Sequence, residues 1–398
     1  MKLKKIVVVI LCFAMIGVLL AGCDNTQPWF NENDQPEDDP SSTDSLDQDP
    51  SSSDNSSSPD DSDYYLLEEI DFEAAFAAFP PGTIMINAGE YIVTWEELYF
   101  NIRGALTYMA SMYGFLPNLS EITSDGGTYA DTMMSYAVDN ALMFRGLEHG
   151  ASISGISFSE SDYDAMMIDL ETLIELYGGE EPFLDLLWEY DGIRNFELFK
   201  YLFIVGNLSS ITFEAMYGEE GSQLTDEEVA ELTVYGGFLM AKHILRLKTE
   251  DGDDTPLRET EEIFNQLSTY SGDDLGAFFD ELMFEHSEDG GLEMFPGGYL
   301  FQAGDMVSAF YDAAVALEIG DFSEIVETEY GYHILFRIPI DYNAIPSAYS
   351  RVNDMRSLRS ITAMELFDSK IYGWIDQLNV TFTAEFDLVD IAALFRKA

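Results

Sequence analysis

Residues 330–338 read YGYHILFRI, and residues 241–248 read AKHILRLK. The tripeptide His-Ile-Leu stands at 243–245 and again at 333–335, in a chain that has only four histidines. Both stretches are short and rich in β-branched and large apolar residues, which predicts strands. A single strand histidine reads as a core residue with a satisfied hydrogen bond. Two of them in matching settings raise the question of a shared site. Between the two strands, helical spacing at Leu275, Phe278, Phe279 and Leu282 is followed by a Gly-rich loop, LEMFPGGYLFQAGDM, and a short amphipathic helix ending near Gly320. The order strand, helices, loop, helix, strand over 236–340 predicts an α+β unit.

On either side the texture is helical. From 64 to 235, apolar residues recur at helical spacing, with capping-box patterns at Thr94–Glu97 and Thr225–Glu228 and a third cap pattern at Ser159–Asp162. His149 precedes Gly150 at an expected helix end, where a histidine suits the dipole. From 341 to 398 the helical texture returns, with RVNDMRSLRSITAMELFDSKIYGWIDQLNV as a long amphipathic stretch. Helical segments before and after the α+β unit predict an insertion whose outer pieces pack together. The chain holds 17 Met, 28 Phe and 22 Tyr. Core packing accounts for most of them, and an adaptable apolar binding surface is the competing reading.

The N-terminus reads MKLKK and then IVVVILCFAMIGVLLAG, a basic region followed by an uncharged apolar run, as in export signals. The run covers 6–22, at the short edge of a membrane span. It ends in LAGC at 20–23, which resembles a bacterial lipobox. That resemblance implies cleavage before Cys23 and a lipid on its thiol; an uncleaved anchor would give the same topology. Residues 23–63 form a Ser/Asp/Pro-rich segment without Lys or Arg, expected to be a flexible, self-repelling tether. The two cysteines are Cys12 and Cys23, so no disulfide supports the body, which must fold by burial. Net charge is −56, and −59 once Lys2, Lys4 and Lys5 leave with the signal. Such a polyanion argues against nucleic-acid binding and against electrostatic adhesion to an anionic membrane.

Residues 236–340 resemble a parvulin-type peptidyl-prolyl isomerase domain, through AKHILRLK, EHSED, GGYLFQAGDM and FYDAAVALEIGDFSEIVETEYGYHILFRI. The whole layout is similar to the foldase lipoproteins of the PrsA type and to SurA-type chaperones. The expected fold class is therefore α+β: a mainly helical chaperone lobe with an inserted parvulin-like domain, a small antiparallel sheet surrounded by helices. The resemblance implies catalytic positions at His243, Asp289 and His333, with the two imidazoles meeting on neighbouring central strands. It implies a proline pocket at Met306 and Phe310, with Tyr330 ahead of the Gly-Tyr-His turn. No cofactor or metal is implied. A zinc site from His243, His286, His333 and Asp289 matches no zinc spacing. The implied partners are unfolded or newly exported proteins with X-Pro bonds, at the extracytoplasmic face of a membrane.

Two departures bear on activity. Where many members have a Gly-Gly-Asp-Leu-Gly-Trp-Phe-like loop, this chain has Phe295-Pro-Gly-Gly-Tyr-Leu-Phe301. Arg246, Lys248 and Arg258 are scattered among acids, so no preference for phosphoserine-proline is expected. The alternatives are a holding chaperone with a catalytically weak or inactive module, and a lipid-anchored binding protein. Clients and oligomeric state are not legible.

Overall fold

The computed structural model describes residues 64–124, 126–249, 252–348 and 355–396. Cys23, the signal and the tether lie outside the described residues. The chain divides into two compact units, one formed by Met1–Ala215 with Phe367–Ala398, the other by Met216–Leu366. The first unit is discontinuous in sequence, and the second is continuous. Small antiparallel sheets lie among helices in both, as the α+β reading expected.

In the first unit, strand β1 (Tyr64–Tyr65) pairs with β4 (Leu116–Pro117). A hairpin of β2 (Ile84–Ala88) and β3 (Tyr91–Thr94) is joined on its other side by β9 (Val380–Phe382). The sequence read this region as helical throughout. The alternation in TIMINAGEYIVT, broken by a turn at Gly89, is the signal that was outweighed by the helical spacing after it. Helices α1 (Phe72–Phe76), α2 (Trp95–Tyr113), α3 (Tyr129–Ile153), α4 (Glu160–Leu176), α5 (Glu180–Asp191) and most of α6 (Phe196–Tyr217) complete the N-terminal part.

The C-terminal residues close the core of this unit. Phe395 is fully buried and stacks on Tyr99 of α2. Helix α12 (Ile391–Leu394) contributes the buried Ile391. Helix α11 (Leu358–Ile375) carries Trp374, which lies so close to α3 that a Cβ on Gly150 would come 2.0 Å from its ring. Gly150 is thus not the end of α3, which runs on to Ile153. It is a close-packing position, where the absence of a side chain lets an indole approach the helix backbone.

The cap expected at Thr94 is also corrected. Thr94 stands at the N-cap in extended conformation, but its side chain caps nothing. The first amides of α2 are satisfied from the preceding loop, Trp95 N–H by the Thr83 carbonyl and Glu96 N–H by the Pro81 carbonyl. Glu97 is thereby released to point inward, where it pairs with the buried Arg145 of α3. The caps at Ser159 and Thr225 form as their sequence patterns suggest.

The second unit is built on one antiparallel sheet in the order β6 (Tyr299–Phe301), β5 (Leu239–Leu247), β8 (Gly331–Ile338), β7 (Val326–Glu327). Side chains alternate between faces along each strand. On one face Ile244, Ile334 and Phe336 pack on α8 (Thr255–Thr269) and α9 (Leu275–His286), through Ile263, Leu267, Phe279, Leu282 and Met283. On the other, Ala241, Leu335 and Phe301 lie under α10 (Ser308–Ala316), through Phe310 and Ala314. Helix α7 (Asp226–Gly236) precedes the sheet, and Arg359 ties it to the start of α11 through the Leu224 carbonyl and Asp226. No helix among the described residues is long and apolar enough to cross a membrane.

Candidate active site

The repeated tripeptide is self-complementary. In the antiparallel register His243 sits opposite Leu335, Ile244 opposite Ile334, and Leu245 opposite His333. Each His and each Leu therefore faces α10, and each Ile faces the opposite layer. The two imidazoles meet across the diagonal, with their rings stacked at 5.4 Å and 13° and their Nδ1 atoms 3.1 Å apart. Both residues are buried, at 7% and 4% exposure.

A continuous polar chain runs through this pair. His243 Nε2 lies 3.2 Å from Asp289 Oδ2. The Tyr299 hydroxyl donates to the same carboxylate oxygen at 2.5 Å, and Gly291 N–H donates to Oδ1 at 3.3 Å. At the far end His333 Nε2 is 2.8 Å from Thr328 Oγ1. A carboxylate only accepts, so the His243 proton is on Nε2 and its Nδ1 is bare. His333 then donates from Nδ1 and accepts the Thr328 hydroxyl at Nε2. Every member of the chain is satisfied with both imidazoles neutral.

Electrostatics favour a neutral His333 and an ionised Asp289. Burial, together with the neighbouring His243, holds His333 down to about 4, against a smaller upward pull from Asp289 itself. Burial alone would raise the Asp289 carboxyl. Hydrogen bonds from His243 and Tyr299, the electrostatic attraction of His243 and the Gly291 amide outweigh it and bring the group down to about 2. Near neutral pH the network therefore runs from an anionic acceptor at Asp289 to a neutral imidazole at His333.

The apolar side of the site is formed from α10 and the loop before it. Phe310, 3% exposed, meets both imidazoles at right angles, 5.2 Å from His243 and 5.6 Å from His333. Met306 is half-buried and packs against the same cluster of Phe301, Phe310 and Leu335. His243 thus contacts Asp289, His333 and Phe310, and Met306 packs on the cluster that holds Phe310. Tyr330 is different. It stands in the turn between β7 and β8 at 58% exposure, linked to the site by its backbone, whose N–H donates to Thr328 Oγ1 at 3.2 Å.

Two residues of the network were not singled out by the sequence. Thr328 has no local signature beyond a hydroxyl five positions before His333. Tyr299 lies in the 295–301 loop already marked as a departure, and its hydroxyl reaches Asp289. The basic residues around the sheet are engaged by acids: Arg246 with Glu259 and Glu288, Lys248 with Glu327, and Arg258 with Asp254.

Residues 243–338 match the Rotamase family model, the PPIC-type PPIase domain, so this stretch of the second unit is a domain of that class. The match begins and ends on the two paired strands. Among individual proteins, the chain is similar to the foldase protein PrsA of Halalkalibacterium halodurans, with 36% identity over 118 residues, covering 29% of this chain and 32% of the relative. It is also similar to the putative peptidyl-prolyl cis-trans isomerase Cbf2 of Campylobacter jejuni, with 38% identity over 102 residues, 25% of this chain and 34% of the relative. The chain thus spans about a third of the length of these curated relatives. A solved structure of PrsA from Bacillus cereus aligns with 69% of this chain and 98% of its own, at 22% identity and a TM-score of 0.28.

Proposed function

We propose that the protein is an extracytoplasmic, lipid-anchored foldase that isomerises X-Pro bonds in exported proteins and holds unfolded clients. The observation that carries the reading is the His243–His333 pair, hydrogen-bonded to Asp289 and roofed by Phe310, within a PPIC-type domain. The X-Pro bond rotates over a barrier of ~18–20 kcal/mol that arises from amide resonance. A catalyst for it needs no nucleophile; it must bind the twisted, single-bond-like state better than either planar one. In this reading Met306 and Phe310 receive the proline ring and strip water from its amide. The hydrogen-bonded imidazole pair forms the polar floor. Asp289 fixes the orientation of His243 and supplies the negative end of the network. Tyr330, exposed at the rim, contacts the chain flanking the proline.

We take the catalytic domain to lie within 236–340, inserted into a helical lobe made of 64–235 and 341–398 that cradles clients. Cys23 carries the lipid, and 23–63 is the tether. The paired basic residues supply no phosphate-reading cluster, which supports the absence of a phosphoserine-proline preference. The altered Phe295–Phe301 loop favours a second reading, a holding chaperone whose module turns over slowly. Proline-limited refolding of a substrate protein decides between them. The foldase reading expects catalytic amounts of the protein to accelerate the slow phase, and His243→Ala or Asp289→Ala to abolish the acceleration with folding intact. Suppressed aggregation without acceleration would favour the holding chaperone.

A further inference from the structure

Tyr299 lies in the Phe295–Phe301 loop, and its surroundings show that its place is built. It opens β6 opposite Ala241, one residue after Gly298, whose φ of +104° and closeness to the Ala241 carbonyl exclude a side chain. Its ring is wedged between Phe295, at 4.8 Å, and the edge of His243, at 5.4 Å. Its hydroxyl donates to Asp289 Oδ2, the same atom that faces His243 Nε2. That hydroxyl fits only because residue 291 is glycine: a Cβ there would lie 2.0 Å from the oxygen and 3.1 Å from the ring carbon bearing it.

We propose that Tyr299 is a positioning residue for the isomerase site, acting through Asp289, and that Gly291 is the notch that admits its hydroxyl. The proposal rests on the isomerase reading above. Oδ1 of the carboxylate is held by the Gly291 amide and Oδ2 by Tyr299. With both oxygens held, the carboxylate cannot rotate away from His243, and the His243 proton stays on Nε2. The tautomer of the pair, and with it the direction of every hydrogen bond to Thr328, is then set from the Tyr299 end. The hydroxyl is a neutral donor, so it stabilises the Asp289 anion without placing a second charge beside it.

The test uses the full chain as wild type, Tyr299→Phe, Gly291→Ala and the double variant. The Phe ring retains the packing on Phe295 and His243 and removes only the hydroxyl. The expected result is a fall in kcat of roughly tenfold with KM little changed for Tyr299→Phe, as for a displaced orienting group. Carbon-13 NMR of the Asp289 carboxyl should show it titrating at higher pH than in the wild type. Gly291→Ala should reproduce both effects, because it expels the same hydroxyl. In the double variant the 2.0 Å clash with the hydroxyl is gone and only the 3.1 Å contact with the ring carbon remains, which a shift of about a few tenths of an ångström relieves, so its activity should match the Tyr299→Phe single. Wild-type kcat and wild-type Asp289 titration in Tyr299→Phe would overturn the proposal, as would losses that multiply in the double variant. Should the wild type itself lack isomerase activity, the functional reading fails, and the Asp289 titration still decides the positioning role: a rise in Tyr299→Phe supports it, and no rise overturns it.

Discussion

His243 and His333 share a hydrogen bond between their Nδ1 atoms at 3.1 Å, although they are 90 positions apart and not directly opposite in the sheet. The diagonal arises because each follows the same tripeptide pattern in opposite directions. Replacing either by Ala leaves the other buried with a lost partner. Each variant is expected to lower kcat/KM for an X-Pro peptide by roughly a hundredfold and to cost about 1–3 kcal/mol of stability. Peptide kinetics alongside urea unfolding measure both.

The pair also sets a pH dependence. The folded-state value of His333, about 4, lies below its ordinary value of 6.5. Between those limits the unfolded chain binds a proton that the folded one does not, so folding stability rises with pH across this window. The contribution is fully present above pH 6.5 and lost as pH falls through 4. It amounts to at most about 3 kcal/mol. Asp289 acts lower, between its ordinary 3.8 and about 2, with the same sign. Denaturation midpoints recorded from pH 7 to 4 should decline in the wild type and decline less in His333→Phe.

In the first unit, Arg145 is buried and joins four elements. It donates to the Ile92 carbonyl of β3 at 3.1 Å, pairs with Glu97 of α2 and with Glu148 of its own helix α3, and lies over the Tyr201 ring of α6. Glu97→Ala removes the buried partner and leaves the guanidinium with the more exposed Glu148. The expected destabilisation is about 3 kcal/mol, read from chemical denaturation of the full chain. Glu97→Gln, which keeps the shape and a hydrogen-bonding group, should cost less.

Two helix glycines should respond in opposite directions. At Gly150 a methyl group would collide with Trp374, whereas at Gly104 of α2 nothing lies within 4 Å of the added carbon. Gly150→Ala should destabilise by about 1–3 kcal/mol as Trp374 of α11 is pushed off α3. Gly104→Ala should stabilise by roughly 0.5–1 kcal/mol through helix propensity. Thermal melts of the two variants check the packing of the outer segments directly.

The site was legible where local pattern and chemistry coincide. The His-Ile-Leu repeats read as strands because alternation is a property of the residues themselves, and Asp289, Met306 and Phe310 came from the resemblance those strands anchor. The self-complementary register was not legible, since pairing is decided by side-chain layers on both faces of the sheet. Thr328 escaped because a hydroxyl carries no pattern. Thr94 read as a cap because the motif is local, whereas the carbonyls of Thr83 and Pro81 that take its place come from the chain path. Gly150 read as a helix end because the Trp374 that explains it lies more than 200 residues on.

The central claim is that the imidazole pair and Asp289 accelerate rotation about an X-Pro bond. Exchange NMR on a short proline peptide measures it without any refolding step, since cis and trans forms give separate signals that interconvert in tens of seconds on their own. Catalytic amounts of the full chain are expected to produce cis–trans exchange peaks, which His243→Ala and Asp289→Ala lose while keeping a cooperative melt. A wild-type protein that binds the peptide yet leaves its exchange at the uncatalysed rate would contradict the account.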